Sequence, residues 1–208
     1  MNHLLDFDRL HNRYFAMRHG HSLANARGII VSHPENGCRG YGLSESGRSQ
    51  VAHSLSRAGE LDAETLIICS DFKRARESAD IVHARLVCRS PVATEQRLRE
   101  RHFGDYELSA DSGYEEVWRQ DALDADSRRK GVESVNQVMQ RVTRVVRDLE
   151  QRFSGASILL VSHGDALQIL QAAFARRDGS IHRQQEHLHT AEIRQLALAP
   201  AKGAGSGV

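Results

Sequence analysis

Arg18-His19-Gly20 is the stretch of this sequence whose residue types best suit chemistry on an anionic group. It directly follows the apolar run 14–17, which is too short to be a helix of its own and is interpreted as a buried strand. A glycine at the end of a strand lets the backbone approach a ligand closely. The guanidinium of Arg18 can bind phosphate oxygens, and a neutral imidazole can attack phosphorus. The motif therefore predicts a phosphate pocket with His19 as the nucleophile.

The partners that such a nucleophile needs follow two later apolar runs. Arg74 lies just after the run 65–69, and His163 lies just after the run 157–161. Both runs are interpreted as buried strands, and a helical pattern follows each of them. Strands that alternate with helices indicate right-handed crossovers and a mostly parallel sheet covered on both faces. Because ligands bind beyond the carboxyl ends of such strands, we expect these side chains and His19 to converge.

The residues at this edge divide the work of a phosphoryl transfer. Charge on the transferring group spreads over its equatorial oxygens, so positioning and positive charge matter most. Arg74 adds a second guanidinium, and Asn25 and the backbone amide of Gly164, at a helix start, add neutral donors. Neighbouring arginines should lower the pKa of His19 and keep its imidazole neutral. His163, when protonated, is placed to stabilise the transferring group.

A carboxylic acid must protonate the leaving alkoxide, and the segment 97–113 contains three candidates. Glu100 is the expected proton donor, while Asp105 and Glu107 are rivals that spacing alone does not exclude. No metal and no cofactor is required by this scheme. His21 has two interpretations that the sequence leaves equally open, because it could line the phosphate pocket or hold the loop after the strand.

Other residues with possible roles have a structural explanation that we favour. Tyr114 and Trp118 could border the substrate site, but packing of their short helix is the preferred interpretation. Glu133 and Ser134 are expected to begin and cap the long helix that follows them. The stretch 182–192 contains four possible metal ligands, namely His182, His187, His189 and Glu192. Their spacing does not put two ligands on one helical face, so no metal site is expected there.

The hydrophobic pattern divides the rest of the chain into elements. The stretches 25–43, rich in glycine, and 97–113 are predicted to be loops near the site. Val51, Leu55 and Ala58 form the apolar stripe of a helix predicted over 44–59. Further helices are predicted over 72–86, 114–123 and 134–153 and in a segment that reaches 174, with a short strand within 87–94 and a last strand over 192–199.

Length and pattern together predict an α/β protein, a three-layer α/β/α sandwich with a mostly parallel central sheet. The 208 residues suffice for one domain, placed at 13–200. Residues 1–12 form a lead-in that is either packed or frayed, and the glycine-rich stretch 201–208 is expected to be a flexible tail.

Composition narrows the partners and the compartment. The net charge of +1 lacks the basic field of a nucleic-acid or anionic-membrane protein, so we expect neither partner. No stretch approaches the roughly 20 apolar residues of a membrane span, and residues 1–12 lack the apolar region of a secretory signal. The three cysteines have no CxxC spacing, which gives no disulfide framework. A cytoplasmic location follows as the expectation, and no oligomeric state is predicted.

The motifs together resemble those of the histidine phosphatase superfamily, the phosphoglycerate mutase-like proteins. The resemblance is carried in chain order by Arg18-His19-Gly20-His21-Ser22 with Asn25, by 42–47 with Gln50, by 70–79, by Leu98-Arg99-Glu100 with 103–104 and 106–107, by 131–134 and by 161–164. It departs from the usual pattern at Asp71, where proline is common, at Ser78, where threonine is common, and at Leu108, where glycine is common. None of these three departures removes a catalytic group.

The resemblance implies a phosphohistidine at His19, with Arg18, Arg74 and His163 as phosphate ligands and Glu100 as the proton donor. It also implies a small-molecule phosphomonoester as the substrate. Mutases of the family usually carry a longer insertion after the acid-bearing segment, whereas about two dozen residues separate Glu107 from Glu133 here. The expected activity is therefore that of a phosphatase. The alternatives are a phosphoglycerate-type mutase and a catalytically silent module that binds a phosphorylated partner.

Overall fold

The computed structural model describes residues 1–55 and 59–201 of the chain. Its strands are β1 (Arg13–Arg18), β2 (Leu66–Cys69), β3 (Ala93–Thr94), β4 (Ser157–Ser162) and β5 (Ile193–Leu196). They form one sheet in the order β3-β2-β4-β1-β5. Neighbouring strands run parallel except for β5, which is antiparallel to β1. The predicted mostly parallel sheet is confirmed, and the strand predicted within 192–199 is its antiparallel edge.

Helices connect the strands and cover both faces of the sheet. In the described ranges they are α1 (Leu23–Arg27), α2 (Pro34–Arg39), α3 (Glu45–Ser54), α4 (Lys73–Leu86), α5 (Tyr114–Leu123), α6 (Val135–Arg152) and α7 (Gly164–Phe174). The helix predicted over 44–59 is seen as α3, while Ala58 lies outside the described residues, as does the predicted tail after residue 201. No helix within 1–55 or 59–201 is long and apolar enough to cross a membrane.

The prediction of a loop over 25–43 was wrong, because this stretch contains the end of α1 and the whole of α2. Ser22 caps α1 in a reciprocal box with Asn25, and Pro34 occupies the first position of α2. Helices of five or six residues are too short to show an apolar repeat. They depend on caps and on a preset proline φ, which is why periodicity did not reveal them.

The apolar core lies on both faces of the sheet and gives the molecule its three layers. On one face, α6 and α7 pack against the strands through side chains such as Val142 and Ile169. On the other face, α3 and α4 do so through Val51 and Val82. β4 is buried at all six positions, because it has a strand on either side and a helical layer above and below. The predicted α/β/α sandwich is confirmed.

The first twelve residues pack on this domain. Leu4 is fully buried in the core cluster that contains α6. The carboxylate of Glu150, on α6, accepts hydrogen bonds from the backbone N–H groups of His11 and Asn12 and from the Asn12 side-chain amide. Of the two alternatives for the lead-in, the structure therefore has the packed arm.

Two glycines let the loop after β1 lie directly on α3. A Cβ atom at Gly47 would lie 1.9 Å from the carbonyl oxygen of His21, and one at Gly20 would lie 2.5 Å from the carbonyl oxygen of Gly47. Such contacts with backbone atoms cannot be relieved by turning a side chain. The loop that begins with Gly20 therefore reaches its position only because both side chains are hydrogen atoms.

We expect Gly47→Ala to lower the free energy of unfolding by about 1–3 kcal/mol, because α3 and the loop must separate to admit the methyl group. Urea denaturation measures this change. Gly59→Ala is the matched control, since its Cβ would meet nothing within 4 Å. Equal midpoints for the two variants would contradict the close approach.

Candidate active site

The carboxyl ends of β1, β4 and β2 bring the predicted site together. β1 and β4 are paired in register with Arg18 beside Ser162, so the next residues, His19 and His163, are neighbours. Their ring centroids are 5.1 Å apart. Arg74 lies in the first turn of α4, close behind β2 on the other side of β4. Residues far apart in the sequence thus meet at one edge of the sheet.

His19 is held as a neutral imidazole whose Nε2 is unprotonated. Its Nδ1 lies 2.8 Å from the carbonyl oxygen of Gly20, to which it donates, and its Nε2 accepts a bond from Nε of Arg74 at 3.0 Å. Burial lowers the pKa of His19 well below its usual value, and the charges of Arg74 and Arg18 lower it further. Nε2 therefore carries the lone pair that a nucleophile needs.

Three buried side-chain nitrogen atoms near His19 have no hydrogen-bond partner among the described residues. They are Nε of Arg18, Nη1 of Arg74 and Nδ1 of His163. Nη2 of Arg74 is engaged, since it donates to the Val31 carbonyl at 2.9 Å. An unpaired buried donor costs about 1–3 kcal/mol, so three in one place indicate a site built to receive acceptor oxygens.

The surroundings of His163 favour its neutral form, whereas the role expected from the sequence requires its protonated form. Burial, followed by the charge of Arg74, lowers the pKa of His163 well below its usual value. Nε2 of His163 lies 2.9 Å from Oγ of Ser70, and that Oγ already accepts a bond from the backbone N–H of Phe72. With the hydroxyl hydrogen of Ser70 directed to Nε2, the neutral ring carries its proton on Nδ1. His163 can then donate to an anion without being charged, and a bound dianion would favour its protonation.

Of the three acid candidates, Glu100 is the one that lines a cavity of about 270 Å³ beside Arg18. Its Oε1 accepts bonds from the backbone N–H groups of Arg101 and Ala166, at 2.9 and 3.1 Å. Burial raises the pKa of Glu100, and the nearby charge of Asp165 raises it further. A carboxyl group that keeps its proton to higher pH suits a general acid.

The rival carboxylates have other surroundings. Burial favours the neutral form of Glu107, but bonds from Asn36, Ser32 and His33 outweigh it, so the pKa of this carboxyl is lowered. Glu107 thus serves as an ionised anchor for the segment that leads into α2. Asp105 is exposed and is not among the residues that line the cavity.

A cavity of about 270 Å³ opens beside Arg18. Asn25 lines it, although Oδ1 of Asn25 is also bonded to the backbone N–H of Ser22. His19, Arg74, His163 and His21 are not among the lining residues, and His21 contacts Oγ of Ser44, the cap of α3, at 3.0 Å. The lining consists of Arg18, Asn25, Ile29, Glu100, Asp111, Tyr114, Trp118, Gly164, Asp165, Arg183 and His187. Of the two interpretations of His21, the contacts favour the one in which it holds the loop.

Sequence reasoning undervalued Tyr114 and Trp118, which both pack α5 and line the cavity. Their rings are stacked at 5.3 Å with planes 8° apart. The guanidinium of Arg183 lies 3.6 Å from the centroid of the Trp118 indole. The indole N–H also donates to Asp165 at 3.0 Å. The i, i+4 spacing that places both rings on one helical face was a signal for their shared role.

His187 also belongs to the site and was considered only as a metal ligand. Its Nε2 contacts Nη1 of Arg18, which also donates to the Leu188 carbonyl at 3.1 Å. These two contacts hold the guanidinium at the cavity wall, while its Nε has no partner in the part of the chain that the structure describes. Nothing in the local sequence around His187 marks this role, because it depends on a contact across the sheet.

A buried ion cluster joins the acid-bearing segment to two helices. The side chain of Arg101 is fully buried and donates to both carboxylate oxygens of Asp121, on α5, at 2.6 and 2.7 Å. Its Nη1 also donates to Asp165, on α7, at 3.1 Å. The residue that follows Glu100 thus anchors the acid segment to a cavity wall and to the helix behind His163.

We expect Arg101→Met to lower the free energy of unfolding by about 3–5 kcal/mol, because Asp121 would stay buried without the guanidinium that binds both of its oxygens and Asp165 would lose one of its partners. Chemical denaturation measures the loss. The control is Arg89→Met, which removes a pair with Glu64 whose side chains are 77% and 63% exposed and should change stability by less than about 1 kcal/mol. Similar losses in the two variants would contradict the role of burial.

The fold, together with two neighbouring histidines close to two arginines, defines the class of this protein. Residues 14–204 match the sequence profile of the histidine phosphatase superfamily (branch 1). The chain belongs to this superfamily, which includes phosphatases and mutases, and the expectation from the motifs is confirmed.

Relatives of both kinds resemble the chain. A probable phosphoglycerate mutase of Photorhabdus laumondii is 32% identical over 161 residues, which cover 75% of this chain and 71% of the relative. Phosphoglycerate mutase-like protein 4 of Arabidopsis thaliana is 26% identical over 181 residues, or 84% and 74% of the two chains. A mycobacterial glucosyl-3-phosphoglycerate phosphatase, solved with VO3, has a TM-score of 0.72 at 25% identity over 88% and 91%.

The fold is also that of a putative alpha-ribazole-5'-P phosphatase from Escherichia coli. This structure has a TM-score of 0.69 at 22% identity, with 93% of this chain and 99% of that chain covered. At that identity the likeness concerns the fold alone.

Proposed function

We propose that this protein is a phosphatase that hydrolyses a phosphomonoester through a phosphohistidine on His19. One observation carries the proposal. Nε2 of His19 is unprotonated and accepts a bond from Nε of Arg74, at a place where three buried nitrogen atoms, on Arg18, Arg74 and His163, have no partner among the described residues. That arrangement suits a tetrahedral anion whose phosphorus faces the imidazole.

In the first step, Nε2 of His19 attacks phosphorus and the bond to the ester oxygen breaks. The two arginines and His163 neutralise charge on the equatorial oxygens. Glu100 gives its proton to the departing alkoxide, so an alcohol leaves and the carboxylate becomes ionised. The phosphorylated ring is a cation, which the Gly20 carbonyl stabilises by accepting the Nδ1 hydrogen.

In the second step, a water molecule takes the place of the alcohol. The Glu100 carboxylate removes a proton from this water as its oxygen attacks phosphorus and the P–N bond breaks. Inorganic phosphate is released, His19 returns to its neutral form and Glu100 holds a proton again. The same groups therefore serve both half-reactions.

The test is a phosphate-release screen over a broad panel of phosphomonoesters, followed by acid-quench trapping with the best labelled substrate. We expect turnover and an acid-labile protein phosphate. The absence of this phosphate in an active enzyme would overturn the mechanism. Thermal stabilisation by phosphate without any turnover would favour the silent binding module.

A phosphoglycerate-type mutase is the second candidate, because the 32%-identical relative is named a probable phosphoglycerate mutase. The phosphatase is favoured by the mycobacterial phosphatase structure and by the short segment between Glu107 and Glu133. Mixing 3-phosphoglycerate with a bisphosphate primer distinguishes the two. Formation of the 2-isomer without free phosphate would support the mutase.

The proposed substrate is a small molecule and the proposed compartment is the cytoplasm. A cavity of about 270 Å³ is just below the roughly 300–1,000 Å³ typical of small-molecule sites. Cys38, Cys69 and Cys88 are all free thiols, which is consistent with a reducing compartment.

A further inference from the structure

Glu100 follows a single 3-10 turn, Gln96–Leu98, and the backbone of residues 97–100 belongs to no α-helix or strand, so its carbonyl groups need partners from elsewhere. Four successive carbonyls are satisfied by side chains of other elements. That of Leu98 accepts from Oγ of Ser162, at the end of β4, at 2.7 Å. The carbonyls of residues 97, 99 and 100 all accept from Arg141, on α6. One guanidinium therefore holds most of the backbone on which the proposed acid stands.

The contacts of Arg141 use all of its N–H groups. Nη1 donates to the carbonyls of Arg97 and Arg99 at 2.7 and 2.9 Å, and Nη2 donates to that of Glu100 at 3.2 Å. Nε and Nη2 also donate to the two carboxylate oxygens of Glu133, at 2.7 and 2.9 Å. These five bonds equal the five N–H donors of an arginine, so its orientation is fully determined.

Glu133 ties the same clamp to the far end of the acid segment. Its Oε2 accepts from the backbone N–H of His102 at 3.2 Å, and its own N–H donates to the His102 carbonyl at 2.8 Å. The side chains of Arg97 and Arg99 form ion pairs with Glu95 and Asp71, respectively. Arg141 therefore acts on the backbone from residue 97 to residue 102 and leaves the side chain of Glu100 free for the cavity.

Arg141 has no direct place in the substrate cavity. Glu100 lines both the cavity of about 270 Å³ beside Arg18 and a larger one of about 680 Å³, whereas Arg141 lines only the larger one. Its hydrogen bonds therefore act on the reaction through the backbone of Glu100, while its charge also contributes to the lowered pKa of His163. A misplacement of about 1 Å can cost about 10²-fold in rate, so this clamp matters for proton transfer.

We propose that Arg141 is a positioning residue that holds the backbone of Glu100 in place for protonation of the leaving group. The proposal rests on the function proposed above for Glu100. It predicts a loss that depends on the leaving group. An alkyl phosphate releases an alkoxide that needs a proton, whereas 2,4-dinitrophenyl phosphate releases a stable phenolate that does not.

The experiment compares kcat/KM for these two substrates in wild type, Arg141→Gln and Arg141→Lys. The constant kcat/KM reports on the steps up to formation of the phosphohistidine. The alkyl ester used is the alkyl phosphate that the enzyme hydrolyses fastest in the substrate panel. For Arg141→Gln we expect a loss of about 10²-fold on the alkyl ester and of less than about 3-fold on the dinitrophenyl ester. Lysine keeps the charge but not the planar fork, so Arg141→Lys should recover part of the loss.

Arg144→Gln is the matched control, because Arg144 is an exposed arginine on the same helix, and both of its rates should stay near wild type. Equal losses on the two esters in the Arg141 variants, or no loss on either, would overturn the proposal. If Arg141→Gln does not fold, the ratio measured in Arg141→Lys decides. Acid-quench trapping in wild type is the separate test of the proposed function, since a missing phosphohistidine there would refute the mechanism whatever the Arg141 variants do.

Discussion

His19→Ala is expected to lower kcat/KM by about 10⁴-fold or more, because no other imidazole can take over the attack on phosphorus. His163 is the neighbouring imidazole, but its Nε2 is engaged with Oγ of Ser70. Steady-state phosphate release measures the rate, and acid-quench trapping measures the phosphohistidine. We expect neither turnover nor label in this variant.

His21→Ala is the control for this variant, since it removes the other histidine of the same motif. His21 contacts the cap of α3 and is not among the residues that line the cavity. We expect it to keep its label and to lose less than about 10-fold in rate, with part of the loss coming from a weaker helix cap. Label that persists in His19→Ala, or disappears in His21→Ala, would reverse the assignment of the nucleophile.

Glu100→Gln is expected to reduce kcat/KM on an alkyl phosphate by about 10²- to 10⁴-fold, the usual contribution of a general acid. The loss should nearly vanish on 2,4-dinitrophenyl phosphate. Glu107→Gln provides the control, because Glu107 anchors the segment before α2 through Ser32 and Asn36. Its effect should be the same on both esters. If Glu107→Gln shows the leaving-group dependence instead, the acid has been assigned to the wrong carboxyl.

The pH dependence of wild type follows from the two shifted pKa values. His19 must be neutral, and since its pKa is lowered well below the usual value, we expect activity to persist below the usual histidine range. Glu100 must be protonated, and since its pKa is raised, activity on an alkyl ester persists above the usual carboxyl range and falls as pH rises further. The falling limb should be absent in Glu100→Gln. A limb that survives in this variant would belong to another group.

The sequence predicted the elements that have strong local signals. The runs at 65–69 and 157–161 are short, apolar and followed by polar residues, which is the pattern of buried parallel strands. The apolar stripe of α6 recurs every three or four residues and marks the helix to within a residue at each end. The short α1 and α2 have no such repeat, so they were predicted as loop.

The contacts that shape the site could not be predicted in the same way. Tyr114 and Trp118 were expected mainly to pack α5, and whether they also face a cavity depends on how α5 lies over the sheet. Arg101 looked like one more charged residue in a loop, yet it is fully buried between Asp121 and Asp165. The partners of Arg101 lie 20 and 64 positions away in the sequence, so a local residue pattern does not indicate them.

What the sequence alone determined is the kind of chemistry and the layout of its parts. Residue types and strand order place an imidazole, two guanidinium groups and a carboxyl group at one edge of a sheet, because parallel strands end there together. Only the tertiary structure decided which atoms are available. The state of three features depends on contacts between distant elements: the unprotonated Nε2 of His19, the nearby buried nitrogen atoms without a partner among the described residues, and the five bonds of Arg141. Such contacts are set by the register and packing of whole elements, which local residue patterns do not specify.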